Sequence, residues 1–443
     1  MKRLLFIFSF FFLVRVKRKN TEVEILTLED CLRIGIDNNL SLEGKRKEIQ
    51  RSKYGVSENR SKLLPQINAI AGYSNNFDPP VSVTDGSSYG VPYNITQTLQ
   101  HSANAGLEMQ MPLFNQTLYT SMSIAKVMEE ISRLSYGKAR EDVILQISKM
   151  YYLGQVTAEQ IMLIKANITR LEELRDITQA FFDNGMSMEV DLKRVNINLE
   201  NLKVQYDNAQ AMMKQQLNML KYIMDYPAEK EIALTPVNTD SITTVALTGL
   251  SENIYELQLS QSQVQLAERQ KKIITNGYIP SLSLTGSWRY AAYTDKGYHW
   301  FHSGPSNQWF RSYGVGLTLR IPIFDGLDKT YKIKKAMIDI ENKRLAWEDA
   351  RKNLQTQYLN AVNDLMNNQR NFKKQKDNYL LAEDVYAVTS DRYREGIASM
   401  TEVLQDEMQM SEAQNNYISA HYNYRVTNLM LLKLTGQIES LVK

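Results

Sequence analysis

Residues 313–324 have the sequence Tyr313-Gly-Val-Gly-Leu-Thr-Leu-Arg-Ile-Pro-Ile-Phe324. Large apolar side chains alternate here with Gly, Thr and Arg, and this period of two predicts a β-strand with one apolar face. Pro322 ends the strand because its nitrogen cannot donate to a ladder of backbone hydrogen bonds. A helical pattern then continues to Gly396, and its only glycine, Gly326, lies at the start. A helix of roughly 65 to 70 residues is on the order of 100 Å long, which no ordinary globular domain needs.

This long helix carries large side chains, mostly aromatic, at steps of seven residues. They are Tyr358, Leu365, Phe372, Tyr379, Tyr386 and Tyr393. A seven-residue step held over this length is typical of a coiled coil. The tyrosines could instead stack nucleic acid bases, but helix packing explains them better. The net charge of +3, from 52 basic and 49 acidic residues, gives no strong attraction to nucleic acid, and we expect no such partner.

The same arrangement occurs earlier in the chain. Met111-Pro-Leu-Phe114 matches Ile321-Pro-Ile-Phe324 at an offset of 210 residues (112 to 322), and Gly185 matches Gly396 at an offset of 211. Two further pairs keep nearly the same offset: Leu64-Pro-Gln-Ile67 with Ile279-Pro-Ser-Leu282, and Leu220-Lys221 with Leu432-Lys433. A nearly constant offset over this length indicates a tandem duplication, with a repeat too long for a solenoid unit.

Each repeat is predicted to contain a first helix, two strands, a long helix and a return helix. In the first repeat, 26–235, these are helix 26–63, strands 66–77 and 102–111, long helix 115–182 and return helix 188–224. In the second repeat, 248–436, they are helix 250–276, strands 281–292 and 312–321, long helix 327–394 and return helix 399–434. The strands have the length and pattern of membrane-spanning β-strands. Only a closed barrel satisfies every strand backbone group in lipid, so we expect copies of the chain to share one barrel.

The N-terminus predicts a signal peptide over residues 1–20. Met1-Lys-Arg3 precede an apolar run from Leu4 to Val14, which is too short to span a bilayer. No later segment has eighteen consecutive apolar residues, so membrane contact is expected to come from strands or from an anchor. The single cysteine, Cys31, excludes an internal disulfide, and we expect it to be a buried structural thiol.

Three segments carry a family resemblance, together with the duplicated order of elements. They are Leu26-Thr-Leu-Glu-Asp-Cys-Leu32, Phe181-Phe-Asp-Asn-Gly-Met-Ser-Met-Glu-Val-Asp-Leu192 and Arg392-Tyr-Arg-Glu-Gly-Ile-Ala-Ser-Met-Thr-Glu-Val-Leu404. With them, nearly all of residues 26–436 resembles the TolC-like outer-membrane efflux proteins. The resemblance implies a mostly α-helical fold with a membrane β-barrel segment. Three chains of a homotrimer would share a twelve-stranded barrel, four strands each, and long coiled-coil helices would form an α-helical tunnel in the periplasm.

The same resemblance implies a function. The protein would be a passive exit duct in the bacterial outer membrane, part of a tripartite efflux or type I secretion system. Its partners would be a periplasmic adaptor protein, an inner-membrane pump and outer-membrane lipid. We expect the adaptor to dock on the two turns, at Asn184, Gly185, Met186, Glu395, Gly396 and Ile397.

The resemblance also implies a constriction at the periplasmic end. Its residues would be Asp191, Tyr393, Glu402, Gln405 and Asp406. In closed members of the family the tyrosine forms a link to an acid, and an arginine assists this latch. Ala398 occupies the position of that arginine in this chain, so this part of the latch is missing. Each acid could instead be a solvated helix-start residue favoured by the helix dipole.

The alternation within the strands predicts which side chains meet lipid. We expect Leu107, Met109, Trp288, Tyr290, Leu317 and Leu319 to face lipid, and Glu108, Arg289 and Arg320 to face a water-filled lumen. A non-channel coiled-coil structural protein of the cell envelope is the alternative. It would need no strands with an apolar face, so the strands favour the channel.

The sequence shows no catalytic constellation. His299 and His302 lack cysteine or acid partners at a spacing useful for a metal, and Gly314-Val-Gly316 lies on a strand without the rest of a dinucleotide fingerprint. We therefore expect no enzyme activity and no cofactor or metal.

Overall fold

The structure, a computed structural model, describes residues 23–79, 81–85, 87–92, 94–97, 99–236, 249–294 and 309–442. The signal peptide expected at 1–20 lies outside the described residues, as do His299 and His302. The chain divides into two compact units, one made of the described residues of 1–42, 140–251 and 356–443, the other of those of 43–139 and 252–355. Each unit therefore contains segments from both halves of the sequence.

Seven α-helices occur among the described residues. They are α1 Leu28–Asn38, α2 Leu40–Ser61, α3 Gln116–Asp183, α4 Glu189–Met224, α5 Tyr255–Asn276, α6 Asp328–Arg394 and α7 Met400–Leu434. Helix α3 has 68 residues and α6 has 67, so both are about as long as the helices predicted at 115–182 and 327–394. The residues at steps of seven along α6 are all buried or half-buried. Phe372, Tyr379, Tyr386 and Tyr393 lie in apolar clusters with side chains of α3 and α7, which confirms the helix packing expected for these four.

The prediction of a single helix from 26 to 63 is wrong, because α1 ends before Asn39 and α2 begins after it. The Asn39 side-chain carbonyl accepts a hydrogen bond from the Leu42 backbone N–H at 3.1 Å. Its side-chain amide donates to the Ile223 carbonyl oxygen at 2.8 Å. Asn39 thus caps α2 and fixes it to the end of α4, and a contact 184 residues away in sequence has no local signal.

Eight strands occur in the described part of the chain. They are β1 Glu24–Leu26, β2 Gln66–Asn75, β3 Val81–Thr84, β4 Asn94–Gln97, β5 His101–Phe114, β6 Ile232–Leu234, β7 Ser281–Thr294 and β8 Trp309–Arg320. Four of them form one antiparallel sheet in the order β2-β5-β7-β8, which contains the four strands predicted from alternation. Strands β3 and β4 pair in a separate ribbon. The parallel pair of β1 and β6 was not predicted, since three-residue strands carry too little alternation to detect.

The two matched prolines, Pro112 and Pro322, lie at different places relative to their strands. Strand β8 ends at Arg320, before Pro322, as the sequence predicts. Strand β5 continues through Pro112 to Phe114, beyond the predicted end at 111, and the register shifts between these two residues. Proline has no backbone N–H to donate, and it is tolerated in a paired strand at such an irregularity because the regular hydrogen-bond ladder is interrupted there.

One apolar core joins four helices within the unit that contains both turns. It is formed by side chains from α3, α4, α6 and α7, among them Leu171, Leu174, Leu199, Tyr386, Val403 and Met410. Burying each large side chain stabilises this packing by about 1.5–3 kcal/mol. The two hairpins, α3–α4 and α6–α7, are therefore held together by a shared core, and this core positions the turns.

Candidate functional site: two paired turns and a two-faced sheet

Both long helices end in the same hydrogen-bonded turn. Gly185 and Gly396 have positive φ angles of 71° and 76°. The bonds run from the N–H groups of Gly185 and Met186 to the carbonyls of Phe182 and Phe181, at 2.9 and 2.8 Å, and from those of Gly396 and Ile397 to the carbonyls of Tyr393 and Arg392, also at 2.9 and 2.8 Å. This is the Schellman motif, in which the left-handed residue is usually glycine. A Cβ at either glycine would meet no atom within 4 Å, so the requirement comes from the backbone and not from space.

The two turns lie on either side of one open groove. The groove has a volume of about 740 Å³, and its lining includes Gly185, Met186, Asp191, Tyr393, Gly396 and Thr401. Met186 is 71% exposed and Ile397 is 63% exposed. The structure thus brings together the two turns that the sequence places 211 residues apart, with an exposed apolar side chain after each glycine.

The two acids that start the return helices make different contacts. In the second repeat Ser399 and Glu402 form a capping box, in which the Ser399 N–H donates to Glu402 Oε2 at 2.7 Å and the Glu402 N–H donates to Ser399 Oγ at 3.3 Å. The Ser399 N–H bond to this carboxylate lowers the pKa of Glu402 most, the bond that the Ser399 hydroxyl donates to the same oxygen at 3.1 Å lowers it next, and Arg392 lowers it further. Glu402 therefore caps the start of α7 within its own chain, and its place in a constriction stays a prediction.

The first repeat has no such cap. Met188 stands at the N-cap of α4 and makes no side-chain capping bond. Asp191, at the position that matches Glu402, pairs instead with Arg194 one turn along the helix, at 3.1 Å. Arg194 Nη1 also lies 3.5 Å from the Thr401 hydroxyl, so this cation connects the starts of the two return helices.

Tyr393 does not bond to either acid in this chain. Its hydroxyl donates to Thr178 Oγ1 at 3.3 Å, and the Thr178 hydroxyl donates to the Leu174 carbonyl at 2.7 Å. Its ring lies 5.7 Å from the ring of Phe181. Within this chain Tyr393 therefore connects α6 to α3, and its part in a constriction stays a prediction. Gln405 is exposed and lies one residue before Asp406, which is half-buried on α7.

The sequence reasoning missed polar side chains buried between the repeats. Asn167 Nδ2 donates to Gln414 Oε1 at 2.7 Å, and both side chains are buried. Asn167 and Thr178 share one helix stripe with Leu171 and Leu174, at spacings of four, three and four. Polar residues inside an apolar stripe were the signal that could have indicated these contacts.

The sheet has one apolar and one polar face. The register places Leu107 opposite Trp288, and Trp288 opposite Tyr313. Because side chains alternate along a strand, this apolar face holds all six residues expected to meet lipid: Leu107, Met109, Trp288, Tyr290, Leu317 and Leu319. The other face holds Arg320 and an ion pair of Arg289 with Glu108 at 2.5 Å. Contact of the apolar face with lipid stays a prediction.

The described residues lack two features that would indicate other functions. In that part of the chain, no helix combines the length and apolar character needed to cross a membrane. Nor do the described residues include a group of three or more His, Cys, Asp or Glu side chains placed to hold a metal ion.

A duplicated helical chain with paired turns and a two-faced sheet defines a class that comparison with known proteins identifies. A sequence model of the family described as "Outer membrane efflux protein" matches residues 34–224 and again 246–437. The chain therefore belongs to the outer membrane efflux protein family. The outer membrane protein TolC of Vibrio cholerae serotype O1 is 21% identical over 399 residues, which cover 86% of this chain and 84% of that protein.

Solved structures share the fold. A crystal structure of CusC has a TM-score of 0.76 at 16% identity, covering 92% of this chain and 91% of that one. The open state of the Neisseria gonorrhoeae MtrE outer membrane channel has a TM-score of 0.73 at 18% identity, covering 92% and 88%. These likenesses establish the common fold over nearly the whole chain.

Proposed function

We propose that this protein is the outer-membrane channel of a tripartite efflux or type I secretion system, a passive exit duct from the periplasm to the outside. The observation that carries the proposal is the four-stranded sheet with one exposed apolar face and one polar face. A sheet of this kind suits a barrel wall between lipid and a water-filled lumen. The long helices, rich in polar and charged residues, would stand in the periplasm.

The open sheet favours a barrel shared between copies. Strands β2 and β8 lie at its two edges, and an open edge in lipid would leave backbone groups unsatisfied. Four antiparallel strands place β2 and β8 in opposite directions, so β8 of one copy can pair with β2 of the next without breaking the antiparallel pattern. Three copies give twelve strands, which we propose as a homotrimer.

Exposed apolar side chains on the helices fit the same assembly. Val190, Ile197 and Val204 follow one another at steps of seven along α4, and all three are exposed. Ile338, Leu345 and Leu359 form a similar exposed series on α6, at steps of seven and fourteen. Apolar stripes at this period pack against a partner helix, and the partner that we propose is a neighbouring copy of this chain.

We assign the adaptor contact to the paired turns and the constriction to the acids beside them. Flexible methionine side chains such as Met186 adapt to apolar partner surfaces, and Met186 and Ile397 would insert into the adaptor. Three copies of Asp191, Glu402 and Asp406 would gather negative charge near one axis, with Tyr393 and Gln405 beside them. Acidic rings favour cations in a pore, so the entrance would be cation-selective.

The experiment that tests the shared barrel uses single cysteines along β2 and along β8. Cys31 is fully buried and is replaced by alanine first, so that every reactive thiol is a designed one. We expect oxidation of cells that carry one cysteine on each edge to give covalent trimers in the outer-membrane fraction. A chain that keeps the β2 cysteine and carries Gly44→Cys on α2 in place of the β8 cysteine is the control and should give none.

The structural-protein alternative predicts a different result. It expects no edge-to-edge crosslinks in any register, or crosslinked products outside the outer membrane. Either result would overturn the shared barrel. Deletion of the gene adds a functional readout, since loss of an exit duct should reduce export or raise sensitivity to toxic compounds, whereas loss of a structural protein should change cell-envelope integrity alone.

A further inference from the structure

A single arginine of the first repeat contacts both α6 and α7. Arg170 lies on α3, and its Nη1 is 3.5 Å from Glu383 Oε1 on α6. Its Nη2 lies 3.8 Å from Met410 Sδ on α7 and donates to Asn167 Oδ1 on its own helix. The guanidinium also lies 6.0 Å from the centre of the Tyr386 ring. One side chain of the first repeat therefore touches the α6–α7 pair at several points.

A buried carboxyl lies within the electrostatic reach of this arginine. Glu407, on α7, is 4% exposed, and its Oε1 has no hydrogen-bond partner among the described residues. Burial raises the pKa of Glu407, and the nearby Arg170 opposes that shift. A buried carboxylate is strongly unfavourable without a cation. Arg170 thus supplies the charge that Glu407 meets when α7 lies against α3.

Other polar contacts follow the same boundary on both sides of Arg170. They join α3 to α6 or α7: Glu159 with Tyr417 at 2.9 Å, Gln160 with Asn415 at 3.2 Å, Asn167 with Gln414 at 2.7 Å, and Thr178 with Tyr393 at 3.3 Å. All of them would have to break if the α6–α7 pair moved away from α3 as a unit. Arg170 differs from the rest because it contacts both helices of the α6–α7 pair.

We propose that Arg170 is an intrachain tie that holds the α6–α7 pair against α3 and thereby limits the separation of the two turns. The inference rests on the proposed channel function. The tie lies 15 residues from Gly185, away from the acids beside the turns. This chain has Ala398 where the family pattern has the assisting arginine. Arg170 would therefore supply a restraint between the repeats within the helix packing, and not at the tip.

The test records single channels of the purified protein in planar bilayers. Arg170→Met removes the cation and keeps a long apolar side chain. We expect the ratio of open to closed dwell time to rise about tenfold, the change produced by about 1.4 kcal/mol of lost closed-state preference. Arg175→Met is the matched control, because Arg175 pairs with its neighbour Asp176 on the same helix and its loss should leave the ratio unchanged. An unchanged ratio in Arg170→Met overturns the tie.

A reversible crosslink separates a tie from a merely stabilising residue. Gln160→Cys with Asn415→Cys, added to Arg170→Met and Cys31→Ala, places two thiols across the same boundary. A short cleavable reagent that joins them should restore the wild-type dwell ratio, and reductant should reverse the effect. Failure of the joined protein to recover overturns the proposal, as does a lower melting temperature in Arg170→Met with no change in gating.

Failure of the variant to assemble and absence of wild-type conductance are two further outcomes of the bilayer experiment. If Arg170→Met does not assemble, Arg170→Gln with Glu407→Gln removes both charges together and is recorded in its place, with the same rise expected and the same refutation. Absence of any conductance from the wild-type trimer contradicts the proposed channel itself. The failure of the tie and the failure of the function are therefore distinguishable.

Discussion

Gly396 provides a quantitative test of how the turns are built. Its φ of +76° lies in the left-handed region, and an added Cβ would meet nothing within 4 Å. Substitution should therefore cost only the backbone preference, roughly 1–2 kcal/mol for an L-residue such as alanine. Asparagine tolerates this region and should cost less, whereas the β-branched side chain in Gly396→Val should cost more.

The assay is unfolding of the purified protein in detergent, followed by circular dichroism, for Gly396→Asn, Gly396→Ala and Gly396→Val. Gly44→Ala is the control, because Gly44 also has open space around its Cβ but lies inside α2 without a positive φ. It should be stabilised by about 0.5–1 kcal/mol. In cells, Gly396→Val should abolish export while the trimer stays in the outer membrane, and Gly396→Asn should retain export. A stabilised Gly396→Ala, or equal losses for Asn and Val, would refute the backbone argument.

Three further predictions follow from the same structure. Burial raises the pKa of Glu141 from 4.5 to about 7, against the opposing charge of Lys433, so its contribution to stability is full below pH 4.5 and is lost as pH rises through 7. Glu141→Gln should remove this loss of folding stability, which is roughly 3 kcal/mol at 1.36 kcal/mol per pKa unit. The measurement is thermal unfolding at pH 5 and pH 8. A variant that keeps the wild-type difference between the two pH values would contradict the prediction. Leu317→Arg on the apolar face should cost about 2–4 kcal/mol and impair membrane assembly, whereas Thr318→Arg should cost little, and equal tolerance of the two would count against lipid contact. Glu402→Gln with Asp406→Asn should reduce cation preference and relieve block by divalent cations in bilayer recordings, and unchanged selectivity would place the acidic ring elsewhere.

Local chemistry was sufficient to predict much of the fold. Gly396 is a clear case, since a glycine after a long breaker-free helix predicts the left-handed end that the structure has. Alternation along the strands likewise placed Trp288 and Leu317 on one face, because a period of two depends on neighbouring residues alone. Such signals are local, and they do not depend on how distant parts of the chain meet.

The features that were missed depend on contacts between distant segments. Asn39 breaks a helix because its side chain reaches Ile223, and no local pattern indicates that partner. Tyr393 bonds to Thr178, a residue 215 positions earlier in the chain, and no local pattern indicates that contact. Arg170 lies in a charged and polar sequence where it resembles a solvated residue, and only the packing of three helices reveals its contacts with α6 and α7.

The central claim is that the protein is an open duct across the outer membrane. The most direct measurement is the conductance of the purified wild-type trimer in planar bilayers, recorded in salt on both sides without adaptor or pump. We expect discrete, repeated conductance steps, with a preference for cations over anions. Folded trimers that bind to the bilayer and give no steps would contradict it, and would favour a structural protein of the cell envelope.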